Sequence, residues 1–319
     1  GFNLGDAFSN YSEVFDKAET FPSANNFLAF NIDVMGPSVM LSIDQKSSLA
    51  VFTRGRGVFN LVDANGDLLE KEGGFDENED FNFIEDDIVG SFSAWGEIGA
   101  TYARILLNDG QHFLKGGLTG KIIQGFGNVY IDGTGITVDY DSNTREVTTT
   151  GEIHLGDTGN IDENGNTGEA LDINNGFGVS GDLGLIYEWR PDHTSFTKMK
   201  SDGSTIVNRG VNKYKLKFGL SLTDFGKILN VKGTDRLYDL NRTQNIDNFD
   251  GDVLEEALLD NFNQISSEKS ESYILPTALH TNMDWNLDSK FYVNLNADIS
   301  LTTKSKINTG GILNQYRLT

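Results

Sequence analysis

The chain has 319 residues, 38% of them hydrophobic, with a formal net charge of −22. Such a charge repels the phosphate backbone, so nucleic acid is excluded as a partner. The absence of cysteine excludes disulfides and thiolate metal sites, and no run of 18 apolar residues offers a transmembrane helix.

In chain order, the first predicted strand runs over 27–43. Leu28, Phe30, Ile32 and Val34 share one parity and Val39, Leu41 and Ile43 the other, with a bulge expected at Gly36-Pro37 where the phase changes. A tight turn at 44–47 leads to a strand over 48–61. The stretch 61–90 holds eleven acidic side chains against one lysine, Lys71, and reads as a solvated loop. A hairpin follows. Ile98, Ala100 and Tyr102 alternate with Glu97, Gly99 and Thr101; past Asn108-Asp109-Gly110-Gln111, Leu114, Leu118 and Ile122 alternate with Lys115, Gly117, Thr119 and Lys121.

Residues 132–173 read as a long polar excursion in which 134–153 form a hairpin about 141–144. The next strand, 174–189, sets Phe177, Val179, Leu183, Leu185, Tyr187 and Trp189 against Ser180, Asp182 and Glu188. A medium turn, 190–211, leads to the clearest alternation. Tyr214, Leu216, Phe218, Leu220 and Leu222 take one face; Lys213, Lys215, Lys217, Gly219, Ser221 and Thr223 take the other. Residues 224–272 read as a long loop with an amphipathic helix near 252–264. Strands over 273–285 and 290–302 flank a turn at 286–289, and another strand begins near 312.

Faces built for two solvents, repeated through the chain, predict an all-β fold: an antiparallel transmembrane β-barrel of about eight readable strands, apolar towards lipid and polar towards the lumen. A soluble β-sandwich also alternates. Its strands are shorter, about five or six residues, and it has less reason to set aromatics at strand ends. Short turns at one end and long connections at the other make 44–47, 108–111, 190–211 and 286–289 periplasmic and the long segments extracellular. Residues 1–26 are expected to be an extracellular segment and 27–319 the barrel, read as part of a longer chain. Phe113, Trp189, Tyr214, Trp285 and Phe291 lie near the short turns and are expected to form the periplasmic aromatic girdle.

Several stretches resemble a family of Bacteroidota outer-membrane barrels defined as a domain of unknown function. They are Met35-Gly36-Pro37-Ser38-Val39-Met40-Leu41-Ser42, Val51-Phe52-Thr53-Arg54-Gly55-Arg56, Thr101-Tyr102-Ala103-Arg104 with His112-Phe113-Leu114-Lys115-Gly116-Gly117, Leu185-Ile186-Tyr187-Glu188-Trp189-Arg190-Pro191-Asp192, Lys215-Leu216-Lys217-Phe218-Gly219-Leu220-Ser221, and Leu275-Pro276-Thr277-Ala278-Leu279. The resemblance implies an outer-membrane barrel with no catalytic residues to carry over. Some relatives resemble proteins with a peptidoglycan-binding OmpA-like domain after the barrel, which makes peptidoglycan a candidate partner through such a domain.

Three constellations could carry chemistry. Asp63, Asn65 and Asp67, and Asp162, Asn164 and Asn166, present oxygens at alternate positions as calcium loops do. Neither stretch completes an EF-hand, so a hydrated acidic loop is the competing reading. His280 shares its inward parity with Asn282 and Asp284; a lone lumenal histidine reads as part of a hydrogen-bonded plug rather than a catalytic base. In the lumen, Lys213, Lys215 and Lys217 are expected to face Asp182 and Glu188, and Arg54 and Arg56 to meet Glu97. Opposed charges of this kind either seal a barrel by internal pairing or line a selective constriction; sealing satisfies them without a solute.

The expectation is therefore a non-enzymatic structural or accessory subunit of a cell-envelope assembly, contacting lipid and other outer-membrane or periplasmic proteins. No cofactor is expected; calcium in the extracellular loops is the alternative to a hydrated acidic stretch. A diffusion channel or small-molecule transporter is the alternative, and a barrel enzyme the third reading.

Overall fold

The computed structural model describes residues 26–65, 78–158, 176–199, 201–207, 212–248, 254–288, 291–302 and 315–318. Its strands are β1 (Asn26–Ser42), β2 (Ser47–Ala64), β3 (Phe81–Asn108), β4 (His112–Asp141), β5 (Glu146–Thr158), β6 (Phe177–Trp189), β7 (Thr197–Met199), β8 (Thr205–Val207), β9 (Leu216–Asp239), β10 (Arg242–Asn245), β11 (Asn263–Ile274), β12 (Ala278–Asp288), β13 (Phe291–Ser300) and β14 (Gln315–Leu318). One α-helix is described, α1 (Leu254–Asn261). Among the described residues no helix is long and apolar enough to cross a membrane.

All strands but β7 and β8 form one antiparallel sheet in the order β1-β2-β3-β4-β5-β9-β12-β13-β14. The lower half of β4 pairs with β6 and the upper half with β5, and β9 does the same on their other side. β5 and β6 thus act as one interrupted descending strand. β11 and β12 form a second, broken at Leu275-Pro276-Thr277. The break fits proline, which has no N–H to give a ladder. Three lower turns are short, and the fourth carries the small β7–β8 hairpin.

The sheet curls into a half-barrel. Four strand steps separate β2 from β9, roughly 19 Å in a flat sheet. Yet Arg56 Nη1 on β2 lies 2.7 Å from Asp224 Oδ2 on β9. Only a concave face brings the two together.

The expected bulge in β1 appears as a register shift between Met35 and Ser38. The lower turns at 44–47 and 108–111 and the upper hairpin about 141–144 match the expected ones, whereas β12 runs on to Asp288, past the expected start of the last turn at 286. In the first lower turn the Asp44 carboxylate accepts the backbone N–H groups of Lys46 and Ser47, at 2.6 and 2.7 Å. These bonds, that of Lys46 foremost, hold its carboxyl below the usual carboxylate range. At the upper end Asp80 is held low in the same sense by the Ser142 hydroxyl and N–H.

The long upper segments differ from expectation. The hairpin expected over 134–153 is present as the end of β4 and β5, continuous with the barrel sheet instead of set apart from it. Within 224–272, β9 runs to Asp239 and β11 follows the helix, where a loop was expected. The acidic stretch also contains the end of β2 and the start of β3. The expected helix is present but shorter. Up here the outer face changes character. The row Ile88–Gly133–Ile153–Tyr238 lies three residues from the row Ser91–Tyr130–Gly156–Asp235 on every strand, hence on the opposite face. The first row belongs to an apolar core on the outer face, completed by Leu258 of α1 and by Leu240. Lower down, the outer face is a belt of exposed apolar side chains, including Phe177, Val179, Leu183 and Leu185 on β6 and Phe218 and Leu220 on β9.

Candidate functional site

The inner face carries a layer of ionised side chains at mid-height, each placed by strand parity. Arg54 and Arg56 are two residues apart on β2, and Arg54 stands opposite Glu97 on β3 in the ladder. Lys121 on β4 and Asp182 on β6 hold the same face. Asp224 arrives differently. Between Leu222 and Phe225, β9 takes three steps against two from Leu183 to Gly181, so Asp182 opposes a one-residue bulge. Asp224 sits in that bulge at φ 56°, a left-handed conformation that aspartate tolerates better than most residues.

The contacts form one network. Arg54 Nη2 and Nε lie 2.7 and 3.1 Å from Glu97 Oε2, and Arg54 Nη1 is 3.3 Å from Asp33 Oδ2 on β1. Arg56 Nη1 bridges Glu97 Oε1 at 3.4 Å and Asp224 Oδ2 at 2.7 Å. Lys121 Nζ bridges Asp224 Oδ1 at 2.7 Å and Asp182 Oδ1 at 2.6 Å. Trp95 Nε1 donates to Glu97 Oε1, the Asp224 N–H to Asp182 Oδ1, and Thr277 Oγ1 to the Asp224 carbonyl. The Arg56 guanidinium lies 5.0 Å from the centre of the Trp95 ring.

Three cations thus meet four carboxylates, and the surplus charge is on Asp33, which is half-exposed at the rim. Glu97 and Lys121 are almost fully buried, at 0% and 1% side-chain exposure. Burying ions is costly unless each is paired and hydrogen-bonded. Here each is.

Directly above lies an apolar plug of Val58, Trp95, Ile123, Ile228, Val231, Tyr273 and Leu275. Val58 follows Arg56 by two residues, Ile123 follows Lys121 by two, and Trp95 precedes Glu97 by two. Each therefore shares its charged neighbour's face, one step higher. The plug joins β2, β3, β4, β9 and β11 across the concave side. Together the two layers cover the middle of the half-barrel's inner face.

The sequence-predicted residues divide. Arg54, Arg56 and Glu97 come together, and Asp182 joins their network. Lys213, Lys215 and Lys217 do not. Asp182 takes Lys121 instead, and Glu188 pairs with Arg190 at 2.6 Å. Lys215 Nζ donates to the Leu287 carbonyl and Lys217 Nζ lies 5.6 Å from the centre of the Tyr214 ring; Lys213 lines a crevice at the lower end. Lys217 does stand opposite Glu188 in the ladder, but Arg190 takes that carboxylate. Asp182 lies higher, opposite Thr119, within diagonal reach of Lys121.

Of the girdle residues, Trp189, Trp285 and Phe291 are exposed. Phe113 is opposite Glu188 in the ladder, on the inner face, under the Arg190 guanidinium at 4.1 Å. The Tyr214 hydroxyl turns in to Asp284 Oδ2 at 2.7 Å. Both are corrections to the girdle. Asn65 spends its N–H on Glu85 and its side-chain amide on the Ile84 carbonyl, and Asp63 is at φ 59°. Asp67, Asp162, Asn164 and Asn166 lie outside the described residues, among which no cluster of metal-ligating side chains occurs. His280 is held at both nitrogens, Nδ1 2.6 Å from Asp298 Oδ1 and Nε2 2.9 Å from Thr223 Oγ1.

Sequence reasoning missed Asp33, Lys121 and Asp224 as network members. The parity of Asp33 and Lys121 was legible: Asp33 alternates with Ile32 and Val34, and Lys121 with Ile122. Asp224 gave no signal, because its bulge interrupts the alternation. A search of curated proteins found no match. The model of a family described as being of unknown function, DUF5723, covers residues 1–319, and the chain belongs to that family.

Proposed function

We propose that this protein is a non-enzymatic integral outer-membrane β-barrel of a bacterial envelope, with a sealed lumen and a structural or accessory role in a larger assembly. The observation that carries the reading is the buried ionic layer lying directly under an apolar plug. A conduit needs a hydrated path, and paired ions beneath packed apolar side chains on the inner face favour a sealed lumen over one.

The outer face supports the membrane assignment. From Phe177 to Trp189 the apolar belt spans about 40 Å along the strand, about 28 Å along the axis at a tilt of about 45°. That is close to the apolar band of about 25 Å on outer-membrane barrels. The resemblance to Bacteroidota barrels favours that setting, and loop length makes the short-turn end periplasmic. Above the belt β4 continues from Gln124 to Asp141, roughly 55 Å of strand. We read this tall, partly helix-covered wall as the surface that meets partner proteins. A channel remains the second reading, favoured by a cavity below the ionic layer.

Conductance separates the two. The purified full-length protein in planar bilayers should give no steady current above the bare membrane. A steady, anion-selective current would overturn the sealed-lumen reading and establish the channel.

A further inference from the structure

Below the ionic layer the inner face opens into a cavity of about 460 Å³, within the range of small-ligand sites. One ladder row crosses it: Ala103, Gly117, Gly184, Ser221, His280 and Asp298. At Gly117 and Gly184 an added Cβ would meet only ordinary contacts, 3.6 Å from Ala103 and 3.7 Å from Ser221. The space is therefore left open rather than filled by a neighbour.

The opposite wall carries polar side chains that hydrogen-bond one another. Asp298 and Thr223 fix the His280 imidazole, and Asn282 Nδ2 donates to Asn296 Oδ1 at 2.5 Å.

The charges are arranged asymmetrically. Lys115 and Lys217 line the β4 and β9 side, and Asp298 lines the β13 side. Among the described residues neither lysine has an ion pair, although the chain carries 47 acidic residues against 25 basic ones. Of the carboxylates facing Lys217 in the ladder, Glu188 is taken by Arg190, and Asp284 receives the Tyr214 hydroxyl on Oδ2. Asp284 makes no ion pair with the lysine, whose ammonium lies 5.6 Å from the Tyr214 ring centre. All three cations of the layer above are neutralised.

We propose that this cavity binds a small polyol carrying one carboxylate, of the size of an acidic sugar. The ammonium groups of Lys115 and Lys217 take the carboxylate. Ser221, Asn282 and Asn296 meet hydroxyl groups, and Asp298 accepts from a hydroxyl on the far wall. The site depends on the inner face alone and stands whether or not the lumen conducts.

Calorimetric titration of the purified full-length protein with glucuronate and with glucose tests it. Glucuronate should bind at least tenfold more tightly than glucose, and the difference should shrink as salt is raised. The double variant Lys115→Gln/Lys217→Gln should bring glucuronate down to the glucose level while keeping the wild-type unfolding temperature. A second variant, Gly184→Leu, should block both sugars by filling the cavity. Absence of glucuronate binding, equal affinity for the two sugars, or a double variant that still prefers glucuronate would each overturn the proposal.

Discussion

Lys121→Met should cost about 3–5 kcal/mol of stability, the usual penalty for removing one partner of a buried ion pair. The lysine is 1% exposed and bridges Asp182 and Asp224, so methionine matches its length but leaves two carboxylates with one fewer cation in a confined space. Arg56 still holds Asp224, which makes Asp182 the more exposed casualty. Adding Asp182→Asn should therefore restore most of the loss: asparagine keeps the side-chain oxygen that accepts the Asp224 N–H and removes the stranded charge. Heat- or urea-induced unfolding of the three proteins in the same detergent measures this. A double variant no more stable than Lys121→Met would show that packing around residue 121, and not charge pairing, dominates there.

The second large effect belongs to the outer face. Leu220→Arg places a guanidinium in the apolar belt, where lipid offers it neither water nor a partner. A cost of about 2–4 kcal/mol is expected for arginine near the bilayer midplane. Ser221→Arg, one residue on, points to the opposite face and lines the open cavity beside Gly219 and Gly184. It should cost about 1 kcal/mol or less. Unfolding from vesicles by urea reads both. Equal penalties would mean that both faces of β9 meet similar surroundings, as in a soluble two-sided sheet.

The contrast between these neighbours explains how much of the fold was legible. In the lower half, each strand separates an apolar outer row from a polar inner row, and Tyr214 to Thr223 state the period of two without interruption. The upper half obeys the same geometry under different solvents. There Ile88, Ile153 and Tyr238 on the outer face are covered by α1, while Glu146, Thr148 and Glu152 on β5 are exposed. Alternation persists, but polar residues and bulges break its run, and a period-two reading takes the result for loop.

The site was legible in part for a related reason. Parity tells which face a side chain takes, so Arg54, Arg56 and Glu97, neighbours across one ladder, could be joined. It does not tell how strongly a sheet curls, so the approach of Arg56 to Asp224 across four strand steps lay beyond it. Nor does parity fix height when lysines recur every second residue. Lys213, Lys215, Lys217 and Lys121 all carry inner parity on their strands, and only the register of β6 against β4 and β9 shows that Lys121 is the lysine diagonal to Asp182, next on the same face to its partner Thr119.

The chain's three tryptophans make the central claim directly measurable. Trp189 and Trp285 are on the outer face, 37% and 44% exposed, and Trp95 is in the inner plug at 0%. Reconstitution into vesicles of lipids brominated near the headgroup end of the acyl chain should quench the wild-type fluorescence strongly. The Trp189→Phe/Trp285→Phe variant, which keeps only Trp95, should be nearly indifferent to bromine. If aqueous iodide quenches Trp189 and Trp285 while brominated lipid does not, the outer belt faces water and the membrane-barrel account is contradicted.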